Sequence, residues 1–378
     1  MASSKDLRSV WRASRARAAE SPGAHRVVSL LAMKRALLLS VLVLSSASGC
    51  GAVALHPGAP VAVASSALAP DLAAAFAEAE REGQGHLGVA ILHVESGERG
   101  AYHGEERFPM QSVFKLPLAI EVLARIDAGT LRLDEVLRIR PIDIRPGPSG
   151  ALADELPASG GERTVLDLLE RALMSSDNTA TDVLLERLGG PRRVTERLRA
   201  LGFTGIDVSR SEAELMMDFC GVVTRPPRDA WTLDGIRAAT VTGPAARARA
   251  QEAYLADPRD TATPEAMAEL LLRVHRRDLL APPSAARLVG ILERVTTGKD
   301  RLRALLPAGT VVAHKTGTSD GADGMVAATN DVGIITLPGA AGHVVVAAFL
   351  RAARGDDAAR AHALARVGKA VFDHYAAR

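Results

Sequence analysis

A serine and a lysine three residues apart open an otherwise apolar helix. Ser112 and Lys115 stand in the run PMQSVFKLPLAI, and their spacing predicts that both lie on one face of the first helical turn. A serine hydroxyl is inert until a base takes its proton, and a lysine desolvated by apolar neighbours can be that base. The pair also occurs by chance, with a lysine that merely extends its ammonium to water, so it is weak alone.

Two further polar motifs follow in order. Ser176-Asp177-Asn178 begins a predicted helix 64 residues after Ser112, and Lys315-Thr316-Gly317-Thr318 ends a predicted strand. Taken singly, the first motif could be a helix N-cap and the second a turn. Three motifs in this order and in these contexts are far more specific than any one of them.

The elements that must position these motifs follow from the hydrophobic pattern. Strands are predicted at 86–94, 99–103, 311–315, 332–337 and 343–350, and helices at 71–82, 116–127, 166–173, 179–188, 264–275, 284–296 and 358–375. Strands therefore lie at both ends of the chain, and the middle is helical. This order predicts an α/β sheet part (about 71–111 and 300–378) with an all-α part (about 112–299) inserted in it.

Composition excludes several classes of function. The chain has 378 residues and a formal net charge of +2, but its first 35 residues carry eight basic and two acidic side chains, which leaves −4 for the remainder. A nucleic-acid-binding protein would need a clustered basic face. The ten histidines form no HExxH motif, and His86 and His93 are predicted to point to opposite faces of one strand, so we expect neither metal nor cofactor.

The N-terminal residues have the pattern of an export signal. Residues 33–50 read MKRALLLSVLVLSSASGC, with a basic start and an apolar run too short to span a bilayer. Residues 1–32 then form an upstream extension. The ending ASGC resembles a bacterial lipoprotein processing site with Cys50 as the lipidated residue, while an ordinary signal peptide cleaved after Ala54 is the alternative. Residues 51–70 have the composition of a flexible tether, and we expect a periplasmic protein.

From about residue 87 to the C-terminus, the chain resembles the class A serine β-lactamases and their penicillin-binding relatives. The resemblance includes the three motifs, Phe108-Pro109, the run LLPAGT at 305–310, and Asn330-Asp331-Val332-Gly333. The run VAHKTGTS at 312–319 is most similar to the extended-spectrum branch. The resemblance implies an antiparallel sheet flanked by helices, an active site between the two parts, and a monomer that binds small β-lactams.

A β-lactamase also needs a carboxylate that activates water against the acyl-enzyme, and the family places it in a loop after Ser-Asp-Asn. The match is Glu212 in RSEAELM, 36 residues after Ser176. Met216 replaces an asparagine that usually helps to hold the water. The segment 219–263 is longer than in the family, so it could reshape the pocket or displace Glu212, and Glu212 and Glu214 could be plain loop acids.

The resemblance implies a role for each remaining site residue. Ser112 is the nucleophile, and its proton passes to Lys115 or, through a water, to Glu212. Ser176 relays a proton to the leaving nitrogen, and the N–H groups of Ser112 and Thr318 form the oxyanion hole. Lys315 is a further catalytic residue, which supplies positive charge toward Ser176 and the substrate carboxylate. The other substrate contacts are expected from Asn178, Thr316, Thr318, Ser319 and Arg301, although Arg301 could instead be a surface arginine on a turn.

Three functions remain open from the sequence. The first is a hydrolytic β-lactamase. The second is a D,D-peptidase or esterase on the same fold, which a misplaced Glu212 would favour. The third is a lipid-anchored sensor or trap that β-lactams acylate without turnover.

Overall fold

A computed structural model of the chain describes residues 68–148 and 150–377. The predicted export signal at 33–50, the predicted lipidation residue Cys50 and the predicted tether up to residue 67 lie outside the described residues. No helix in the described ranges is long and apolar enough to cross a membrane.

The main sheet is antiparallel and joins strands from both ends of the chain. Its strand order is β2-β1-β10-β9-β7, and β8 pairs with β9 at one end. The strands are β1 (His86–His93), β2 (Arg99–Tyr102), β3 (Phe108–Pro109), β4 (Val136–Ile139), β5 (Gly161–Thr164), β6 (Thr261–Ala262), β7 (Val312–Thr318), β8 (Gly321–Ala322), β9 (Met325–Thr336) and β10 (His343–Ala353). Two-stranded pairs β3–β6 and β4–β5 lie outside this sheet.

Helices fill the middle of the chain and also cover the outer face of the sheet. They are α1 (Pro70–Gly83), α2 (Lys115–Asp127), α3 (Leu152–Glu155), α4 (Val165–Met174), α5 (Asn178–Leu188), α6 (Arg192–Ala200), α7 (Glu212–Phe219), α8 (Leu233–Ala239), α9 (Pro244–Ala256), α10 (Pro264–His275), α11 (Pro282–Glu293) and α12 (Asp357–Ala376). A 3₁₀ turn, Gln111–Phe114, leads directly into α2.

Each face of the sheet packs against its own apolar core. One core joins a sheet face to α1 and α12 through residues such as Phe76, Val346 and Leu364. The other joins the opposite face to the central helices through Phe349, Leu123 and Leu271. These layers confirm the predicted α/β class, with a sheet built from both chain ends; the residue bounds of the two parts stay a prediction.

The structure adds elements that the hydrophobic pattern did not predict. Strand β9 begins at Met325, seven residues before the predicted Val332, because its first half (MVAATND) is too polar and small to read as a strand. Helix α9 was missed because it is rich in alanine and arginine and lacks a distinct apolar face.

The α1 layer should be essential for stability. Phe76 is fully buried, and its ring lies edge-on to the ring of Tyr102 of β2, with 6.2 Å between the ring centres. Phe76→Ala should lower the free energy of unfolding by about 3–5 kcal/mol because it leaves a cavity under the sheet. Urea denaturation followed by circular dichroism measures the change.

Val223→Ala is the control, since Val223 is 97% exposed and its truncation should change the unfolding free energy by less than about 0.5 kcal/mol. Equal effects of the two substitutions would contradict the packing described for α1.

Candidate active site

The three sequence motifs and Glu212 converge around one buried ammonium. Lys115 is fully buried at the start of α2. Its Nζ donates hydrogen bonds to the carbonyl oxygen of Ser176 (2.8 Å) and to Oδ1 of Asn178 (2.7 Å). The same Nζ lies 2.8 Å from Oε1 of Glu212 in an ion pair. The predicted lysine, the Ser-Asp-Asn motif and the predicted acid are therefore one cluster.

Ser112 lies in the 3₁₀ turn that runs directly into α2, and in such a turn residues three apart, such as Ser112 and Lys115, lie on one face. The residue before it, Gln111, has a φ of +46°, in the left-handed region. This bend separates β3 from the turn, so that Ser112 follows a sharp change of chain direction. Ser112 is half-buried, one turn before Lys115.

The end of β7 lies directly against this turn. A Cβ at Gly317 would come within 2.3 Å of the Met110 carbonyl oxygen and 3.2 Å of the Ser112 nitrogen, so only glycine permits the approach. From the neighbouring strand β9, Asn330 donates its amide hydrogens to the carbonyl oxygens of Pro109 (2.8 Å) and Met110 (3.0 Å). The sheet thus holds the backbone on which Ser112 stands.

Ser176 connects the two buried lysines. Its φ of +62° lies in the left-handed region, and the residue stands just before α5. Asp177 caps that helix by accepting a hydrogen bond from the Ala180 N–H at 2.8 Å. The Ser176 hydroxyl accepts from Lys115 at 3.3 Å and from Lys315 at 3.1 Å. This hydroxyl can therefore pass a proton between groups on either side of it.

Glu212 is the first residue of α7, not a residue of an extended loop as the sequence suggested. Ser211 and Glu214 form a capping box at this helix start. Asp182 of α5 accepts hydrogen bonds from the N–H groups of Glu212 (2.7 Å) and Ala213 (3.3 Å). The helix start is thereby fixed on α5, and the Glu212 carboxylate is held beside Lys115.

Asp182 is itself held by an arginine that sequence reasoning missed. Arg145 is fully buried, and its Nε donates to Asp182 at 2.6 Å. The sequence carries a signal only for Asp182, which follows Asn178 by one helical turn and so lies on the same face of α5; nothing in the sequence singles out Arg145.

Burial changes the proton affinities of the charged groups. It raises the pKa of the Glu212 carboxyl, an effect that the positive charge of Lys115 opposes. Burial, reinforced by the charge of Lys115, holds the pKa of Lys315 well below its usual range. The pKa of Glu212 is therefore higher, and that of Lys315 lower, than in an exposed side chain, which is the direction expected of groups that exchange protons in an active site.

Positive charge and hydroxyls line the end of β7. Arg301 donates to Oγ1 of Thr318 at 2.6 Å and to the Asn330 carbonyl oxygen at 2.8 Å, so the structure brings it to the site. The Thr316 hydroxyl pairs with that of Thr297 at 2.7 Å. The Ser319 hydroxyl instead stabilises the end of the strand, since it donates to the Asp320 carbonyl oxygen and accepts from the Ala328 N–H.

The long segment 219–263 leaves Glu212 in place beside Lys115. It forms the helices α8 and α9, and its base is tied by Arg210, whose guanidinium contacts Asp260 (2.6 Å), Asp218 (3.0 Å) and Asp257 (3.2 Å). A cavity of about 430 Å³ lies beside α9, lined by Arg210, Val222 and Tyr254 among others.

Two groups of histidine and glutamate side chains lie on other elements. One comprises Glu80, His86 and His103, and the other Glu95, His275 and His343. Hydrogen bonds or ion pairs within the protein already join Glu80 to His86 (3.1 Å) and Glu95 to His343 (2.9 Å). Neither group includes a residue of the Lys115 cluster.

Comparison with known proteins agrees with this geometry. The sequence model of the family described as "Beta-lactamase enzyme family" matches residues 68–375. The β-lactamase VEB-1 of Pseudomonas aeruginosa is 34% identical over 67% of this chain and 73% of its own length.

Solved structures give the same result. The TLA-3 extended-spectrum β-lactamase is 28% identical, with a TM-score of 0.66 over 81% of this chain and 98% of its own. A reconstructed ancestral (GNCA) class A β-lactamase is 36% identical, with a TM-score of 0.64 over 80% of this chain and 99% of its own. The match of nearly the whole described chain, together with the Ser112, Lys115, Ser176 and Lys315 motifs in one site, shows that this chain belongs to the class A β-lactamase family.

Proposed function

We propose that the chain hydrolyses β-lactams through a serine acyl-enzyme and releases the product with water activated by Glu212. The observation that carries the proposal is the Glu212 carboxylate, buried and held 2.8 Å from the Lys115 ammonium. A carboxylate at this position can accept the proton of a water that attacks the acyl-enzyme, which is the step that separates hydrolysis from acylation alone.

Acylation begins at the Ser112 hydroxyl. As its oxygen bonds to the lactam carbonyl carbon, its proton passes to Lys115 or, through a water, to Glu212. The N–H groups of Ser112 and Thr318 stabilise the negative oxygen that forms, and one such donor is worth roughly 3 kcal/mol where it has been measured. The C–N bond then breaks, and Ser176, which contacts both lysines, passes a proton to the departing ring nitrogen.

Deacylation attacks the same carbon with water. Glu212 takes a proton from the water, the hydroxide forms a bond to the acyl carbon, and Ser112 leaves with a proton restored to its oxygen. Because burial raises the pKa of Glu212, this carboxylate is a stronger base than an exposed one.

Substrate binding uses the positive side of the site. Lys315 and Arg301 present charge to a substrate carboxylate, and Thr316 and Thr318 offer hydroxyls on the same strand. Asn178 already accepts from Lys115, and the second lone pair of its oxygen can accept a substrate amide. Since these side chains build the proposed site within one chain, the proposed mechanism needs no residue from a second subunit, and we propose that the protein acts as a monomer.

We further propose export to the periplasm and a lipid anchor on Cys50. The proposal is supported by the basic start, apolar run and small residues of 33–50, and by the ASGC ending.

Ser112→Ala tests the nucleophile. Loss of the hydroxyl should abolish covalent labelling by a penicillin, because no other group on the turn can form the ester. Intact-protein mass spectrometry checks this, and an adduct of unchanged yield would refute the assignment.

Glu212→Gln tests turnover. The amide keeps the size of the side chain but cannot accept the water proton, so steady hydrolysis of a chromogenic cephalosporin should fall by about 10²–10⁴-fold. The acyl-enzyme should still form and should accumulate, because its hydrolysis is now the slow step, and intact-protein mass spectrometry should detect it.

Glu214→Gln is the matched control. Glu214 closes the capping box of α7 and accepts from the Ser211 N–H at 2.9 Å, a contact that glutamine can also make. Turnover should stay near wild type. Trapping by Glu214→Gln but not by Glu212→Gln would show that Glu214 is the base, and a wild type that gives only one stoichiometric burst would favour the sensor or trap.

The lipid anchor is tested by metabolic labelling with palmitate in a Gram-negative host. The wild type should carry label and its mature chain should begin at Cys50, whereas Cys50→Ala should carry none. An unlabelled wild type that begins near Leu55 would show an ordinary signal peptide instead.

A further inference from the structure

The long segment 219–263 contacts the residue that precedes the nucleophile. Tyr254 of α9 accepts a hydrogen bond at 2.9 Å from the side-chain amide of Gln111, which immediately precedes Ser112. Tyr254 is buried, and its ring packs edge-on against Phe219 with 5.4 Å between ring centres. The Arg210 guanidinium lies 5.5 Å from the ring centre on another side. The position of the hydroxyl is therefore fixed by packing.

Gln111 needs such support. Its φ of +46° is unfavourable for a residue with a side chain, and such a conformation persists only where the surroundings hold it. The residues from Lys115 onward belong to α2, whose backbone hydrogen bonds hold them, whereas Gln111 forms the bend before it.

The residue on the other side of the bend is already fixed. The Met110 N–H donates to the Asp260 carbonyl oxygen at 3.0 Å, and the Met110 carbonyl oxygen accepts from Asn330 at 3.0 Å. Rotation about the backbone of Gln111 would turn the peptide unit that joins residues 111 and 112. That unit carries the Ser112 N–H, one of the two proposed oxyanion donors.

We propose that Tyr254 is a positioning residue for acylation: through Gln111 it fixes the direction of the Ser112 N–H, so that the inserted segment takes part in forming the oxyanion hole. The inference rests on the proposed serine acyl-enzyme function. It gives a role in the reaction to the segment 219–263, which Arg210 ties at its base and which reaches the nucleophile turn through Tyr254.

Tyr254→Phe removes the hydroxyl and keeps the ring. Single-turnover stopped-flow with the chromogenic cephalosporin nitrocefin separates the acylation rate constant from the dissociation constant of the non-covalent complex. The acylation rate constant should fall about 2- to 12-fold, the effect of one neutral hydrogen bond, while the dissociation constant stays unchanged. Gln111→Leu should act alike, and the double variant should be no slower than either single variant.

Tyr102→Phe is the matched control. Its hydroxyl donates to Glu80 at 2.6 Å, away from the Ser112 turn, so its loss should leave the acylation rate constant at the wild-type value. Two outcomes would overturn the inference while leaving the proposed function intact. One is a wild-type acylation rate constant in Tyr254→Phe, and the other is a double variant in which the effects of Tyr254→Phe and Gln111→Leu multiply. A wild type that nitrocefin does not acylate would overturn the proposed function and the inference with it.

Discussion

The buried ammonium of Lys115 is the interaction on which the rest of the site depends. An uncompensated charge at a fully buried position would cost several kcal/mol, so the fold must supply acceptors from elsewhere in the chain. It does so with Ser176 and Asn178 at the start of α5 and with Glu212 at the start of α7. Removing one partner from a buried pair typically costs about 3–5 kcal/mol. The contacts that prepare proton transfer are therefore also contacts that hold three helices together.

A second constraint acts between the sheet and the nucleophile turn. Gly317 lets β7 approach the turn to a distance that any side chain would prevent, and Asn330 of β9 holds the turn by two hydrogen bonds. Since Gly317 and Asn330 are paired in the sheet register, a single piece of antiparallel sheet sets both contacts. The same strand end presents Thr318 to Arg301, so the position of Ser112 and the positive side of the site are determined together.

The segment 219–263 is closed at its base by buried charged groups. Arg210 and Asp260 are both buried and bonded to each other at 2.6 Å, so the chain enters and leaves the segment at nearly one point. Asp182, backed by Arg145, independently fixes the start of α7. Helices α8 and α9 lie between Arg210 and Asp260 in the chain, and Glu212 stays beside Lys115.

The sequence alone determined the elements and the chemical groups. Alternating and helical apolar patterns are local, and they placed β1, α5, α10 and α12 to within a few residues; the order of the Ser112, Ser176 and Lys315 motifs named the family. The tertiary structure decided which distant residues meet: Glu212 beside Lys115, Asp182 with Arg145, and Tyr254 against Gln111. The sequence could not give these contacts, because each joins side chains that are 37 to 143 positions apart, and only packing of the whole fold desolvates such groups and brings them within 3 Å of each other.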